Sequence, residues 1–239
     1  MFKLQNKNRL LKKTTHTQLI ILIDPDKYNP NLIKMANHCK VAYIFVGGSK
    51  IKRNKAFEQT VKSIKSITGI PVVIFPGDET QVSKNADAIL ILSLLSGRNA
   101  EYLIGKHVKA AAKIKKSKLK TIPTGYILVD GANTSTTQKI TRSKPLITKK
   151  EIIETAIAGE LLGKQLIYLE AGSGAKKTLQ SSIIKEVKKN ISIPVIVGGG
   201  IDSVVKAKNI LTSNPDYIVI GNALEKSPDL LTDINKLFL

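Results

Sequence analysis

Apolar residues in this chain cluster in short continuous runs instead of alternating with polar ones. Eight such runs, rich in Ile, Val and Leu, occupy residues 18–24, 41–47, 71–75, 88–93, 125–130, 166–170, 194–198 and 216–221. A strand that is apolar at every position is buried on both faces, the mark of a parallel sheet covered by helices. Between the runs, segments at about 54–67, 99–116, 149–162, 176–189 and 202–212 carry apolar residues at helical spacing, with lysines on the other side. Eight strands alternating with helices in 239 residues predict a TIM (β/α)8 barrel, a single domain over residues 1–239. An open doubly wound α/β sheet is the alternative.

Two connections break the rhythm. Only about eleven residues, 76–86, join the third and fourth runs, so the third outer helix is expected to be irregular. The polar stretch 131–145, between the fifth and sixth runs, is too long for an idle turn and falls where a barrel keeps its functional loops.

Charge comes next. Lys and Arg number 38 against 18 Asp and Glu, a formal net charge of +20 that points to an anionic partner: nucleic acid, a membrane surface or a phosphorylated metabolite. The make-up of that charge narrows the choice. Arg9, Arg53, Arg98 and Arg142 are the only arginines, aromatics are 5% and Trp is absent. Base readout leans on Arg, and single-strand binding on exposed aromatics. No nucleic-acid partner is therefore expected, and a basic, non-catalytic membrane- or nucleic-acid-binding protein is kept as the reading from another class. Cys39 stands alone, which excludes an intrachain disulfide framework and a Cys-based zinc site. No apolar run approaches the roughly 20 residues of a membrane span, and the polar residues 1–7 are unlike a signal peptide. A cytoplasmic location is the expectation.

In a TIM barrel the chemistry sits at the C-terminal ends of the strands. Here the last three runs end in glycine-rich loops: 170–174 with Gly172 and Gly174, 198–200, and Gly221 with Asn222. Glycine lets backbone N–H groups converge on an anion, so three such ends predict a phosphate cradle. Asn222 could equally be the N-cap of the last helix. Asp24 leaves a wholly apolar run and is either a turn former ahead of Pro25 or a hard-oxygen ligand for Mg²⁺, with the Ser49 hydroxyl as a second ligand. Asp26 and Lys27 read as a helix cap and a surface charge. Glu170 is either a structural hydrogen-bonding group or a base for a substrate hydroxyl. His16, His38 and His107 end no run and form no cluster, so they read as surface or packing residues.

Taken in order, ILIDPDK (21–27), FVGGS (45–49), FPGDETQVSKNADAILILSLLSGRN (75–99), PTGYILVDG (123–131), YLEAGSG (168–174), VGGGI (197–201) and IGNALE (220–225) resemble the geranylgeranylglyceryl phosphate synthase family, which includes bacterial heptaprenylglyceryl phosphate synthases. The resemblance covers nearly the whole chain. It implies a modified TIM barrel lacking a regular third outer helix, with a side groove for a prenyl chain. It also implies Mg²⁺-dependent transfer of a long isoprenoid from its diphosphate to the C3 hydroxyl of sn-glycerol 1-phosphate. Asp24 and Ser49 would be the metal positions, with Asp24 and Glu170 the catalytic pair. Glycerol phosphate would lie along Tyr168, Leu169, Glu170, Ala171, Gly172, Ser173 and Gly174, with Gly199, Gly200, Gly221 and Asn222. Heptaprenyl-type members carry Lys two residues before the metal Asp; Leu22 stands there in this chain, which favours geranylgeranyl diphosphate as donor. A homo-oligomer, dimer or hexamer, and peripheral membrane contact are further expectations. The competing enzyme reading is another phosphate-binding barrel, such as a phosphosugar isomerase or a synthase of histidine or tryptophan biosynthesis.

Overall fold

The computed structural model describes residues 10–48 and 54–239. Eight parallel strands close into a barrel in sequence order: β1 (Gln18–Ile23), β2 (Val41–Val46), β3 (Val72–Ile74), β4 (Ala88–Leu94), β5 (Lys120–Leu128), β6 (Leu166–Glu170), β7 (Val195–Gly198) and β8 (Tyr217–Ile220). The barrel is shut by β1 pairing with β8, from Gln18 opposite Tyr217 to Ile21 opposite Ile220. The open-sheet alternative is thereby excluded.

Strand alternation splits the core in two. Ile20, Phe45, Leu90, Tyr168, Ile196 and Val219 point into the barrel, and Leu11 belongs to the same inner cluster. Their neighbours Leu19, Ile21, Ile44, Leu169, Val197 and Ile218 point outward, into the layer shared with the helices. Both layers exclude water, which is why the runs are apolar at every position. The N-terminal end of the barrel is sealed by residues 11–14. Leu11 N–H donates to the Tyr43 hydroxyl, Tyr217 donates its hydroxyl to Lys12 O (2.8 Å), and Thr14 N–H donates to buried Asp216 (2.9 Å).

The outer helices are α1 (Pro30–His38), α2 (Asn54–Ile67), α3 (Lys106–Ser117), α4 (Thr136–Thr141), α5 (Lys149–Leu161), α6 (Ser181–Asn190), α7 (Val204–Leu211), α8 (Asn222–Lys226) and α9 (Leu230–Asn235). Their starts carry the expected chemistry. Asn29 caps α1 with Pro30 behind it, Ser135 and Gln138 form a capping box on α4, and Thr148 and Ser203 cap α5 and α7.

Several expected boundaries move. β5 begins at Lys120, five residues before its predicted start, because Pro123 pairs opposite Ile91 and still accepts a hydrogen bond from Gln165 N–H (2.7 Å). The helix expected over 176–189 begins only at Ser181, since Lys177 N–H is drawn to Gly131 O (3.2 Å). The helix expected from 99 opens as a π-helical turn, Glu101–Gly105, before α3. No helix lies between β3 and β4, as the short connection predicted. Ser49, expected to help hold a metal, lies outside the described residues.

Candidate active site

A cavity of about 270 Å³ opens at the C-terminal end of the barrel. Its floor is aromatic. Phe75 follows β3, while Tyr126 and Tyr168 are inward residues of β5 and β6, and all three lie with ring centroids 5.3–6.0 Å apart. Glu170, the last residue of β6, stands on the cavity wall two positions beyond Tyr168 and is buried. Its Oε1 accepts from Gly172 N–H at 2.7 Å, and the Tyr168 hydroxyl donates to the same carboxylate. Burial disfavours the charge more than these two donors restore it, so the carboxyl is pushed up to about 7. Burial, reinforced by Glu170, holds the Tyr168 and Tyr126 hydroxyls well above the ordinary range, so both stay neutral hydrogen-bonding groups.

Gly199 makes this arrangement possible. It has φ +88°, and a Cβ there would lie 2.4 Å from Glu170 Oε1 and 2.7 Å from Gly172 N. Around the rim, Asn222 donates to Ser173 Oγ at 2.6 Å, joining the β8 loop to the β6 loop. Asp24 lies on the opposite wall, with Oδ1 accepting Asp26 N–H at 3.0 Å. It therefore does cap the turn Pro25–Lys27, and it faces the cavity as well. Gly48 lies beside Asp24, where a Cβ would meet Oδ1 at 3.0 Å, so the carboxylate is approached by bare backbone. Gln81, buried, donates to Gly48 O (2.7 Å) and accepts from Gly77 N–H (3.1 Å), locking the β2 end to the β3–β4 connection.

The cavity continues sideways. β3 pairs with β4 only at Val73–Ala88 and Ile74–Ile89, so β4 runs on past its neighbour from Leu90 to Leu94. With no helix over that gap, the π-helical turn and α3 supply the far wall: Tyr102 from the turn and Lys106, Ala110 and Ile114 from α3, four residues apart, all face the cavity. Opposite them lie Val82, Ile89 and Ile91. His107 Nε2 is 2.8 Å from Leu92 O; a carbonyl only accepts, so the imidazole donates and satisfies an oxygen beyond the reach of β3. Lys106 and Glu79 span the groove at 2.7 Å. Their hydrogen bond raises the lysine and lowers the carboxyl in pKa.

A family model described as the PcrB family matches residues 11–237. The chain belongs to that family. The geranylgeranylglyceryl phosphate synthase of Chitinophaga pinensis is 45% identical over 220 residues, covering 90% of this chain and 87% of its own length. The enzyme of that name from Pyrococcus horikoshii is 39% identical over 230 residues, covering 93% and 88%. Among solved structures, (S)-3-O-geranylgeranylglyceryl phosphate synthase from Thermoplasma acidophilum, in complex with substrate sn-glycerol-1-phosphate, superposes with a TM-score of 0.87 at 31% identity and 93% coverage of both chains. The tryptophan synthase α-subunit of Pyrococcus furiosus, at 13% identity and a TM-score of 0.57, shares the fold alone. The PcrB-family chain is thus an enzyme of the geranylgeranylglyceryl phosphate synthase kind, a prenyltransferase of lipid biosynthesis.

Set on this family barrel, the residues singled out from sequence separate into two groups. Asp24, Tyr168, Glu170, Ser173, Gly174, Gly199, Gly221 and Asn222 line the cavity. The others stand behind it. Leu169 and Ala171 turn their side chains into the outer core, Gly172 serves Glu170 through its N–H, and Gly200 abuts Ala175 O and Lys177 O. Asn222 is the first residue of α8 and Gly221 its N-cap, and α9 follows, so the reading of Asn222 as N-cap of the last helix is corrected. Lys27 is more than a surface charge: it pairs with Glu225 at 2.6 Å, closing the rim between β1 and α8. His107 is neither surface nor simple packing. Tyr126, Gln81 and Lys106 join the site with little in the sequence to mark them; Tyr126 alone carries a signal, an aromatic in the strand of PTGYILVDG.

Proposed function

We propose that this prenyltransferase moves a geranylgeranyl group from its diphosphate to the C3 hydroxyl of sn-glycerol 1-phosphate, with Mg²⁺, forming the first ether bond of a membrane lipid. The observation that carries the reading is Glu170: a buried carboxyl pushed up to about 7, set between a glycine-lined rim and an apolar groove. A base with that pKa is half-ionised near neutrality and can take a hydroxyl proton. The substrate complex of the Thermoplasma acidophilum relative and the names of the bacterial and archaeal relatives support the acceptor and the donor, as does Leu22 before Asp24.

In the reaction the acceptor C3 oxygen forms a bond to the allylic carbon, the carbon–oxygen bond to diphosphate breaks, and the hydroxyl proton passes to Glu170. The cradle around Ser173, Gly174, Gly199 and Asn222 holds glycerol phosphate with its hydroxyl turned inward, which replaces a bimolecular encounter by a positioned attack. Tyr168 keeps the Glu170 carboxylate aimed and Tyr126 closes the floor. The groove between β4 and α3 takes the isoprenoid and excludes water.

Among the described residues no group of three His, Cys, Asp or Glu converges. Asp24, one carboxylate beside bare glycine backbone, nevertheless suits Mg²⁺, which commonly keeps its waters and substrate oxygens and takes few protein ligands. When bound, the ion would neutralise the leaving diphosphate. Asp24, with Ser49 as the expected second ligand, would hold it. We further assign the protein to the cytoplasm as a homo-oligomer, dimer or hexamer, in peripheral contact with membrane. Exposed Leu161 and Leu162 at the end of α5 support a contact between copies, and no described helix is long and apolar enough to cross a membrane.

The test is incubation with radiolabelled glycerol 1-phosphate, Mg²⁺ and prenyl diphosphates of several lengths. An organic-soluble product with the C20 donor, lost on chelation and poor with glycerol 3-phosphate, is expected. A preference for C35 would overturn the donor; no product with any length would overturn the reaction.

A further inference from the structure

We propose that the outer rim of the β4–β5 sector, where Ile104, Val108 and Ile147 are exposed and Arg98, Arg142 and Lys144 border a hollow with Ile147, docks the protein on an anionic lipid bilayer. This deepens the reading above, which gives the docking its purpose. Three observations place the surface. Ile104, Val108 and Ile147 are 61%, 68% and 75% exposed, large apolar side chains held in water. Ile104 and Val108 are four residues apart across the π-helical turn and the start of α3, on the solvent side of the helix whose inner side lines the groove. Arg98, Arg142, Lys144 and Ile147 surround one hollow, formed where the β4–α3 and β5–α5 loops meet. Glu151 also borders it, with its carboxylate accepting the Thr148 hydroxyl at 2.8 Å. Half of the chain's four arginines are thus in this hollow, each on left-handed backbone, φ 46° and 53°, a conformation that costs a non-glycine residue about 1 kcal/mol or more.

Charge selects the partner. From Arg98 to Lys120 there are eight Lys and Arg and one carboxylate, Glu101, which is engaged by Lys109 at 2.6 Å. From Lys139 to Lys150 there are five and no carboxylate. Basic residues and protruding Ile and Val on the same two chain segments suit phosphate headgroups above acyl chains, where the lysine stems snorkel; a nucleic acid would leave the apolar tips unused. Both loops leave the C-terminal ends of their strands, the end that carries the cavity. An isoprenoid could then move between bilayer and groove along α3.

Flotation with vesicles of phosphatidylcholine alone, or mixed equally with phosphatidylglycerol, tests this without any turnover. The protein should float with the mixed vesicles only and be released as salt rises. Each basic residue at an anionic surface is worth about 1 kcal/mol, about fivefold in partitioning. The Arg98→Gln/Arg142→Gln variant should therefore bind about 25-fold more weakly, and Ile104→Ser/Val108→Ser/Ile147→Ser should lose flotation. Both variants should melt like the parent and turn over detergent-dispersed donor at its rate. Unaltered flotation of both variants overturns the proposal. So does a changed oligomeric state in size-exclusion chromatography, which makes this face a contact between copies, or binding to duplex DNA with none to vesicles. A parent that floats but turns over nothing in detergent overturns the proposed reaction and leaves the docking surface standing.

Discussion

Replacing Glu170 by Gln should make the protein more stable while nearly abolishing its activity. Below about pH 4.5 the carboxyl is protonated in both the folded and the unfolded chain, and it contributes no pH dependence. Between 4.5 and about 7 the unfolded chain has released a proton that the folded chain still holds, so folding stability falls as pH rises. Above about 7 the loss is complete. A rise from 4.5 to about 7, at about 1.4 kcal/mol per pH unit, is worth about 3 kcal/mol. Glutamine imitates the neutral acid in size and keeps an oxygen for the Gly172 N–H, so Glu170→Gln escapes this cost. At pH 8 it should melt higher than the parent by about 6 °C, given about 2 °C per kcal/mol for a chain of this length. At pH 4.5 the two should melt together. Calorimetric melts from pH 4.5 to 8.5 measure the difference directly. The same variant should lose about 10²–10⁴ in turnover, together with the limb of the pH–rate profile that rises near 7. A variant less stable than the parent at pH 8, or a melting difference that does not change with pH, would refute the burial argument; parental turnover would refute the role as base.

Three further outcomes follow from the site. Gly199→Ala must place a Cβ at φ +88° and 2.4 Å from Glu170 Oε1, so thermal melting should show a loss of about 2 kcal/mol or more. Asp24→Asn keeps the oxygen that accepts Asp26 N–H, so its melting should match the parent; Mg²⁺-dependent turnover, read by titrating the metal, should be lost. His107→Leu strips the donor from Leu92 O within the groove, an unsatisfied carbonyl costing about 1–3 kcal/mol. Its KM should rise more for a C20 than for a C10 donor, and His107→Gln, which still has a donor, should recover part of it.

The barrel was legible because each strand is buried twice over. That condition writes itself into consecutive residues, so the eight runs could be counted, and the missing third helix could be read from the length of 76–86 alone. What failed was local in a different way. Lys120 and Pro123 look like connection residues, and only the register of β4, with Ile91 opposite Pro123, turns them into strand. Helix α1 was missed although Asn29 and Pro30 mark its start, since nine residues are too few to display much periodicity. At the site, Glu170 and the glycines were visible because strand ends can be read in order along the chain. His107 was not. Its role depends on β3 stopping at Ile74, on β4 continuing to Leu94, and on α3 crossing the gap, three facts separated by more than thirty residues. Lys106 and Glu79 are likewise joined only by the fold.

That gap links the architecture to the chemistry. A closed barrel satisfies its backbone because every strand has two neighbours, and opening one seam exposes the polar edge of β4 where water or another donor must answer it. On the proposed function the groove takes hydrocarbon, and water is then the wrong answer. The fold responds with side chains instead: His107 covers the Leu92 carbonyl, buried Gln81 ties the loop after β3 to the end of β2, and Lys113 reaches Thr80 O at 2.5 Å to hold α3 against that loop. Lys106 and Glu79 complete the tie across the groove itself. They are about one-third exposed, so their pair contributes little to stability, and its position matters more than its strength. On the proposed function, a weak ion pair over this apolar channel costs little to part when the isoprenoid enters, whereas a regular third helix over the same gap would have to give up its packing against the barrel wall.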